Sequence, residues 1–146
     1  MQIFDGNYDE IHDWIVRGQG VAEAAARYPG RFIPLVYLNP LEGADICREK
    51  VKTVMIHMGH GHGVYIDAAL KMAKRFPNIY LEMSGMPMGV KIRQAYEEVG
   101  HDRIMFGTDY PFHHPSVEIQ KVLTCGLDEA AMQDVFYNNA KKLLGE

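Results

Sequence analysis

The chain has 146 residues, 47% of them hydrophobic and 23% charged, the proportions of an ordinary soluble domain. Fifteen Lys and Arg against nineteen Asp and Glu leave a formal charge of −4, with no basic excess to grip a phosphate backbone, so nucleic acid is excluded as an expected partner. No apolar run approaches the roughly 20 residues of a membrane span. Met1-Gln2-Ile3-Phe4-Asp5-Gly6 lacks the basic start and apolar core of a signal peptide, and Cys47 and Cys125 make no disulfide framework, so the expected setting is a reducing cytoplasm, away from any membrane.

Residues 8 to 28 carry Ile11, Trp14, Ile15, Val21, Ala22, Ala25 and Ala26 at helical spacing, with Gly18 and Gly20 splitting the run and Tyr28-Pro29-Gly30 stopping it. A β-rich run at 33–38 follows, closed by Asn39-Pro40, with Pro34 placing it at an edge or at a strand start. A short helix is predicted over 42–50. The second strand, 53–58, is almost wholly apolar at Val54-Met55-Ile56, which suits burial on both faces. Gly59-His60-Gly61-His62-Gly63 reads as a loop, because three glycines in five residues weaken any regular element.

Helical period returns over 64–76 and ends at Pro77. Residues 79–83 form a third strand, 91–99 a helix with Gly100 as its C-cap, and 103–107 a fourth strand. Two or three helices span about 116–144. Strands alternating with helices of this length signal parallel pairing, so the expected class is α/β, four parallel strands with helices packed outside.

In parallel α/β folds ligands collect at the carboxyl ends of the strands. Those ends place His57, then Glu82 and Ser84, then Asp109 on one rim, with His60, His62, His113 and His114 in the loops beside them. Imidazoles converging with a carboxylate are the inventory of a divalent metal site and equally that of a general acid/base pair. The residue types do not choose between these. Structural readings stand beside them: His57 as a buried histidine bonded to backbone, Asp109 as a turn cap, the loop histidines as solvated surface.

Three stretches taken in order narrow the field. Val54-Met55-Ile56-His57-Met58-Gly59, then Phe76-Pro77-Asn78-Ile79-Tyr80-Leu81-Glu82-Met83-Ser84-Gly85, then Asp102-Arg103-Ile104-Met105-Phe106-Gly107-Thr108-Asp109-Tyr110-Pro111-Phe112 resemble the last three βα units of the amidohydrolase superfamily, in its amidohydrolase-related branch of metal-dependent hydrolases and decarboxylases. Asn138-Asn139-Ala140-Lys141-Lys142-Leu143-Leu144-Gly145 is similar to that branch's closing helix. Residues 28–40 resemble an early barrel strand.

The resemblance implies a (β/α)8 barrel with a divalent metal at its C-terminal rim, zinc or alternatively manganese, acting on a small carboxylate, ester or amide. By position it implies that Asp109 ligates the metal and handles a proton, and that His57 binds metal or acts on substrate. The family's His-x-His at the first strand and its fifth-strand histidine have no counterpart here, which leaves His60 and His62 as the remaining candidate ligands. Only eleven residues separate Pro40 from Lys52, and an eight-unit barrel needs about 200 residues at the least. The expectation is therefore a single domain over 1–146 lacking several central βα units, an incomplete barrel. Two functional classes follow: an enzyme whose site uses His57 and Asp109, or a non-catalytic amidohydrolase-like domain with a binding or assembly role. Open strand edges predict a homo-oligomer.

Overall fold

A computed structural model describes residues 26–29 and 52–145. The chain divides into two units, residues 1–43 and 44–146. In the first, residues 26 and 27 are helical, as the periodicity of 8–28 predicts, and Arg27 lies over the Tyr28 ring at 5.8 Å. The rest of that helix, the strand predicted at 33–38 and the helix predicted at 42–50 lie outside the described residues.

The second unit is built as strand, helix, strand, helix, strand. Strand β1 is Thr53–Met55, helix α1 Gly63–Arg75, strand β2 Ile79–Glu82, helix α2 Gly89–Val99 and strand β3 Ile104–Met105. The order across the sheet is β1-β2-β3, and both pairings are parallel, with Thr53 opposite Ile79 and Leu81 opposite Ile104. Parallel neighbours require a crossover, and α1 and α2 supply the two. Each crossover helix buries one stripe at the i, i+3, i+4, i+7 spacing: Ile66, Ala69, Leu70 and Ala73 on α1, Ile92, Ala95, Tyr96 and Val99 on α2. Ile79, Leu81 and Ile104 of the strands pack in the same core as these stripes.

Three helical segments close the unit: α3 Pro115–Leu123, α4 Glu129–Gln133 and α5 Asn139–Leu144, the last two joined by a wide π turn at Asp134–Asn138. Their number and span agree with the prediction over 116–144. This segment lies along the outer edge of β3. The Asn139 side chain donates to the Ile104 carbonyl at 2.9 Å, and the Phe106 amide donates to the Val135 carbonyl at 2.9 Å. At the opposite end of the sheet Arg103 donates to the carbonyls of Ala73 (2.7 Å), Phe76 (3.3 Å) and Val99, tying the ends of α1 and α2 to the start of β3.

The strands are shorter than their apolar runs. The run 53–58 leaves the sheet after Met55 because His57 (φ 61°, ψ 16°) and Met58 (φ 48°, ψ 36°) are left-handed, turning Ile56–Gly59 into one tight loop. Residues 103–107 keep only Ile104–Met105 in the ladder. Among the described residues no helix is long and apolar enough to cross a membrane.

Candidate functional site

Parallel pairing puts the ends of β1, β2 and β3 on one rim, and the chemistry-bearing residues lie there. His57 follows β1 by two residues, Glu82 ends β2, Ser84 comes two residues later, and Asp109 follows β3 by four. Both His57 and Asp109 (φ 51°) are in the left-handed region, which L-residues with a Cβ occupy at a cost of about 1 kcal/mol or more. Such backbone is concentrated at functional sites. In His57 it also frees the ring from the up-down alternation of the strand, so the imidazole turns inward and is buried while Ile56 stays exposed.

The ring is held from one side. Its Nδ1 lies 2.8 Å from the Ser84 carbonyl oxygen and 3.0 Å from Ser84 Oγ. Glu82 sits behind this contact: Oε1 accepts from the Ser84 amide at 2.6 Å, and Oε2 accepts from Ser84 Oγ at 2.9 Å and from the His57 amide at 3.2 Å. The glycines around it leave the room. A Cβ on Gly107 would lie 2.0 Å from Glu82 Oε1, and one on Gly85 (φ 64°) would lie 3.2 Å from His57 Nδ1.

On its other side His57 faces Asp109, with Nε2 3.9 Å from Oδ2. That distance is beyond a direct hydrogen bond. Two electron-pair donors set face to face, one imidazole and one carboxylate, are a donor set suited to a divalent cation such as zinc. The pair therefore fits as part of a metal site. Among the described residues, however, no group of three His, Cys, Asp or Glu side chains is placed to hold a metal ion.

Of the four loop imidazoles, three have partners of their own. His60 is exposed and meets the His57 ring edge-on, 5.3 Å between centroids. His62 is the N-cap of α1, its Nδ1 accepting from the Val64 amide at 3.4 Å. His114 caps α3 in the same way, and His113 pairs with buried Glu118 at 3.0 Å. Lys121, which also reaches Glu118, donates to the carbonyls of Met83 (3.2 Å) and Met86 (2.7 Å), joining α3 to the loop after β2. The arrangement thus brings His57 and Asp109 together with His60 beside them, and leaves His62 at a helix terminus. Glu82 and Ser84 stand at strand ends in the sequence, but nothing in their spacing announces that both serve the His57 ring.

Residues 47–145, about two thirds of the chain, match the Amidohydrolase family model. The chain belongs to this family. Among solved structures the amidohydrolase-family chain is similar to a 2,6-dihydroxybenzoate decarboxylase complexed with 2,6-dihydroxybenzoate, at 19% identity and a TM-score of 0.54 over 85% of this chain and 47% of that one. It is also similar to Amidohydrolase 2 from Bifidobacterium longum subsp. infantis, at 22% identity and 0.54 over 70% of this chain and 42% of that one. An amidohydrolase from Burkholderia multivorans with bound zinc matches at 17% identity and 0.52, over 86% of this chain and 55% of that one. These likenesses establish the fold, a portion of a (β/α) barrel. The amidohydrolase-family chain spans about half the length of these relatives. No curated protein matches it.

Proposed function

We propose that this chain contributes one side of a divalent-metal site, built on His57 and Asp109, to metal-dependent hydrolysis or decarboxylation of a small carboxylate, ester or amide. The observation that carries the reading is His57 Nε2 facing Asp109 Oδ2 at 3.9 Å on the carboxyl rim of a parallel sheet. Family membership supports the metal, and the decarboxylase and hydrolase neighbours support the reaction classes by analogy of fold alone. When bound, zinc or manganese supplies Lewis-acid charge for an oxygen that becomes negative during reaction. His57 and Asp109 hold that charge at the rim, and Asp109, about a quarter exposed, faces solvent and takes or returns a proton. His60, edge-on to the His57 ring, and His62, at the start of α1, are the further imidazoles proposed to complete the site.

Zinc sites in enzymes ordinarily use three protein ligands and an open position, and the described residues present two. The 146-residue chain is therefore expected to bind zinc or manganese weakly, with binding lost in Asp109→Ala and reduced in His57→Ala by calorimetric titration. Tight stoichiometric metal that survives Asp109→Ala would move the site elsewhere. No binding at excess zinc and manganese would favour the second reading, a non-catalytic domain with a binding or assembly role. We propose in addition that the chain forms a homo-oligomer, and a compact monomer in sedimentation at micromolar concentration would refute this.

A further inference from the structure

The direction of each hydrogen bond behind His57 can be worked out from what each partner is able to donate. A backbone carbonyl only accepts, so the Ser84 oxygen 2.8 Å from Nδ1 demands a proton from the ring. The Ser84 hydroxyl has one proton, and the Glu82 carboxylate at 2.9 Å takes it, since a carboxylate has none to give. Oγ is left to turn a lone pair towards Nδ1 at 3.0 Å. Both neighbours of Nδ1 are thus acceptors. His57 and Ser84 are each 2% exposed, so water does not compete for that nitrogen.

We infer that Glu82 and Ser84 are positioning residues that fix the neutral His57 ring in its Nδ1–H form, so that Nε2 faces Asp109 as a bare electron pair. This is the reverse of the form free histidine prefers in water. Glu82 acts through the hydroxyl: by accepting its proton it prevents the hydroxyl from donating to Nδ1, and by accepting the His57 amide at 3.2 Å it holds the backbone that carries the ring. A partner on one imidazole nitrogen sets which nitrogen is free to ligate and in what orientation. The use made of Nε2 rests on the metal reading proposed above; the ring form itself does not.

The test is the ring form of His57, read from its nitrogen shifts and couplings in the 15N-histidine-labelled, metal-free chain at about pH 8.5, well above the ordinary histidine range near 6.5. His57→Gln assigns the signal. The wild type is expected to show a protonated Nδ1 and an unprotonated Nε2; the opposite pattern in the native protein overturns the inference without any variant. In Glu82→Gln the side-chain amide donates to Oγ, the hydroxyl turns its proton to Nδ1, and a mixture of both ring forms is expected. In Glu82→Gln with Ser84→Ala the competing hydroxyl is gone, the Ser84 carbonyl remains, and the Nδ1–H form is expected to return. A merely structural Glu82 would give a change that Ser84→Ala does not reverse, and an unchanged ring in Glu82→Gln removes Glu82 from the mechanism. The other histidine signals, His101 stacked on Tyr96 among them, report that each variant is folded. Zinc affinity, measured separately, is expected to fall about tenfold in Glu82→Gln and to recover in the double variant. Failure of zinc binding in every form, with the ring pattern as expected, would strike the metal reading and leave the positioning pair standing.

Discussion

Gly107→Ala converts the closest approach in the site into a measurable cost. The φ of Gly107 is not left-handed, so alanine is allowed by the backbone and forbidden only by space. Its Cβ would meet Glu82 Oε1 at 2.0 Å and Cδ at 2.6 Å. Ordinary contact needs about 3.5 Å, so the carboxylate must retreat by about 1.5 Å. A retreat of that size breaks the 2.6 Å bond from the Ser84 amide and one of the two made by Oε2. Hydrogen bonds to charged groups contribute about 1.5–3 kcal/mol each, and the largely covered Glu82 side chain recovers only part of this from water, giving a loss of about 2–4 kcal/mol. Urea unfolding at unchanged slope is expected to report it as a midpoint lowered by about 1–2 M. Glu82→Ala opens the space, so adding Gly107→Ala to that variant is expected to cost little more. A single Gly107→Ala within about 0.5 kcal/mol of wild type, the range of an ordinary surface change, would refute the carboxylate anchor.

The Tyr96 phenol, pushed up to about 12 by burial and then by its 2.8 Å bond to Asp134, is expected to ionise well above the ordinary phenol value in an absorbance titration, and Tyr96→Phe to remove that step. Because the folded value is raised, this stabilisation is complete below about pH 10, the ordinary phenol value, and is lost as pH rises towards 12. Arg103→Met strips donors from the carbonyls of Ala73, Phe76 and Val99, and is expected to lower stability by about 2–4 kcal/mol in thermal or urea unfolding. Asp128→Ala removes the cap that accepts from the Ala131 amide at 2.8 Å, with an expected loss of about 0.5–2 kcal/mol in the same measurement.

Periodicity located both crossover helices to within two residues at their starts, because each buries one clean stripe and ends at a glycine or just before a proline, whereas the starts of the two short helices after α3 were not separately legible. The parallel sheet followed from the alternation of strands with helices. The strand ends were less legible. Met55-Ile56-His57-Met58 continues an apolar run without a glycine or proline, and the left-handed turn of His57 and Met58 has no local signature in those residue types. His57 and Asp109 were recognisable as rim residues from their place after strands. The bonding of Glu82 and Ser84 to His57 spans 25 and 27 positions and depends on that turn, so only the folded chain shows it. Gly107 reads as an ordinary strand glycine until the carboxylate opposite it is placed.

The outer edge of β3 has a bearing on the order in which the protein is made. Ile104 and Phe106 present their outward carbonyl and amide to Asn139 and Val135, residues synthesised some thirty positions later. Until the ribosome has released that segment, β3 stands bare on the side away from β2, the arrangement that invites pairing with another nascent chain. The helices after β3 thus act as a late-arriving guard, and a premature stop between Leu123 and Val135 would leave a fragment holding β1, β2 and β3 with the outer edge of β3 exposed. Such a fragment is expected to be lost to aggregation rather than to a failure of the rim chemistry.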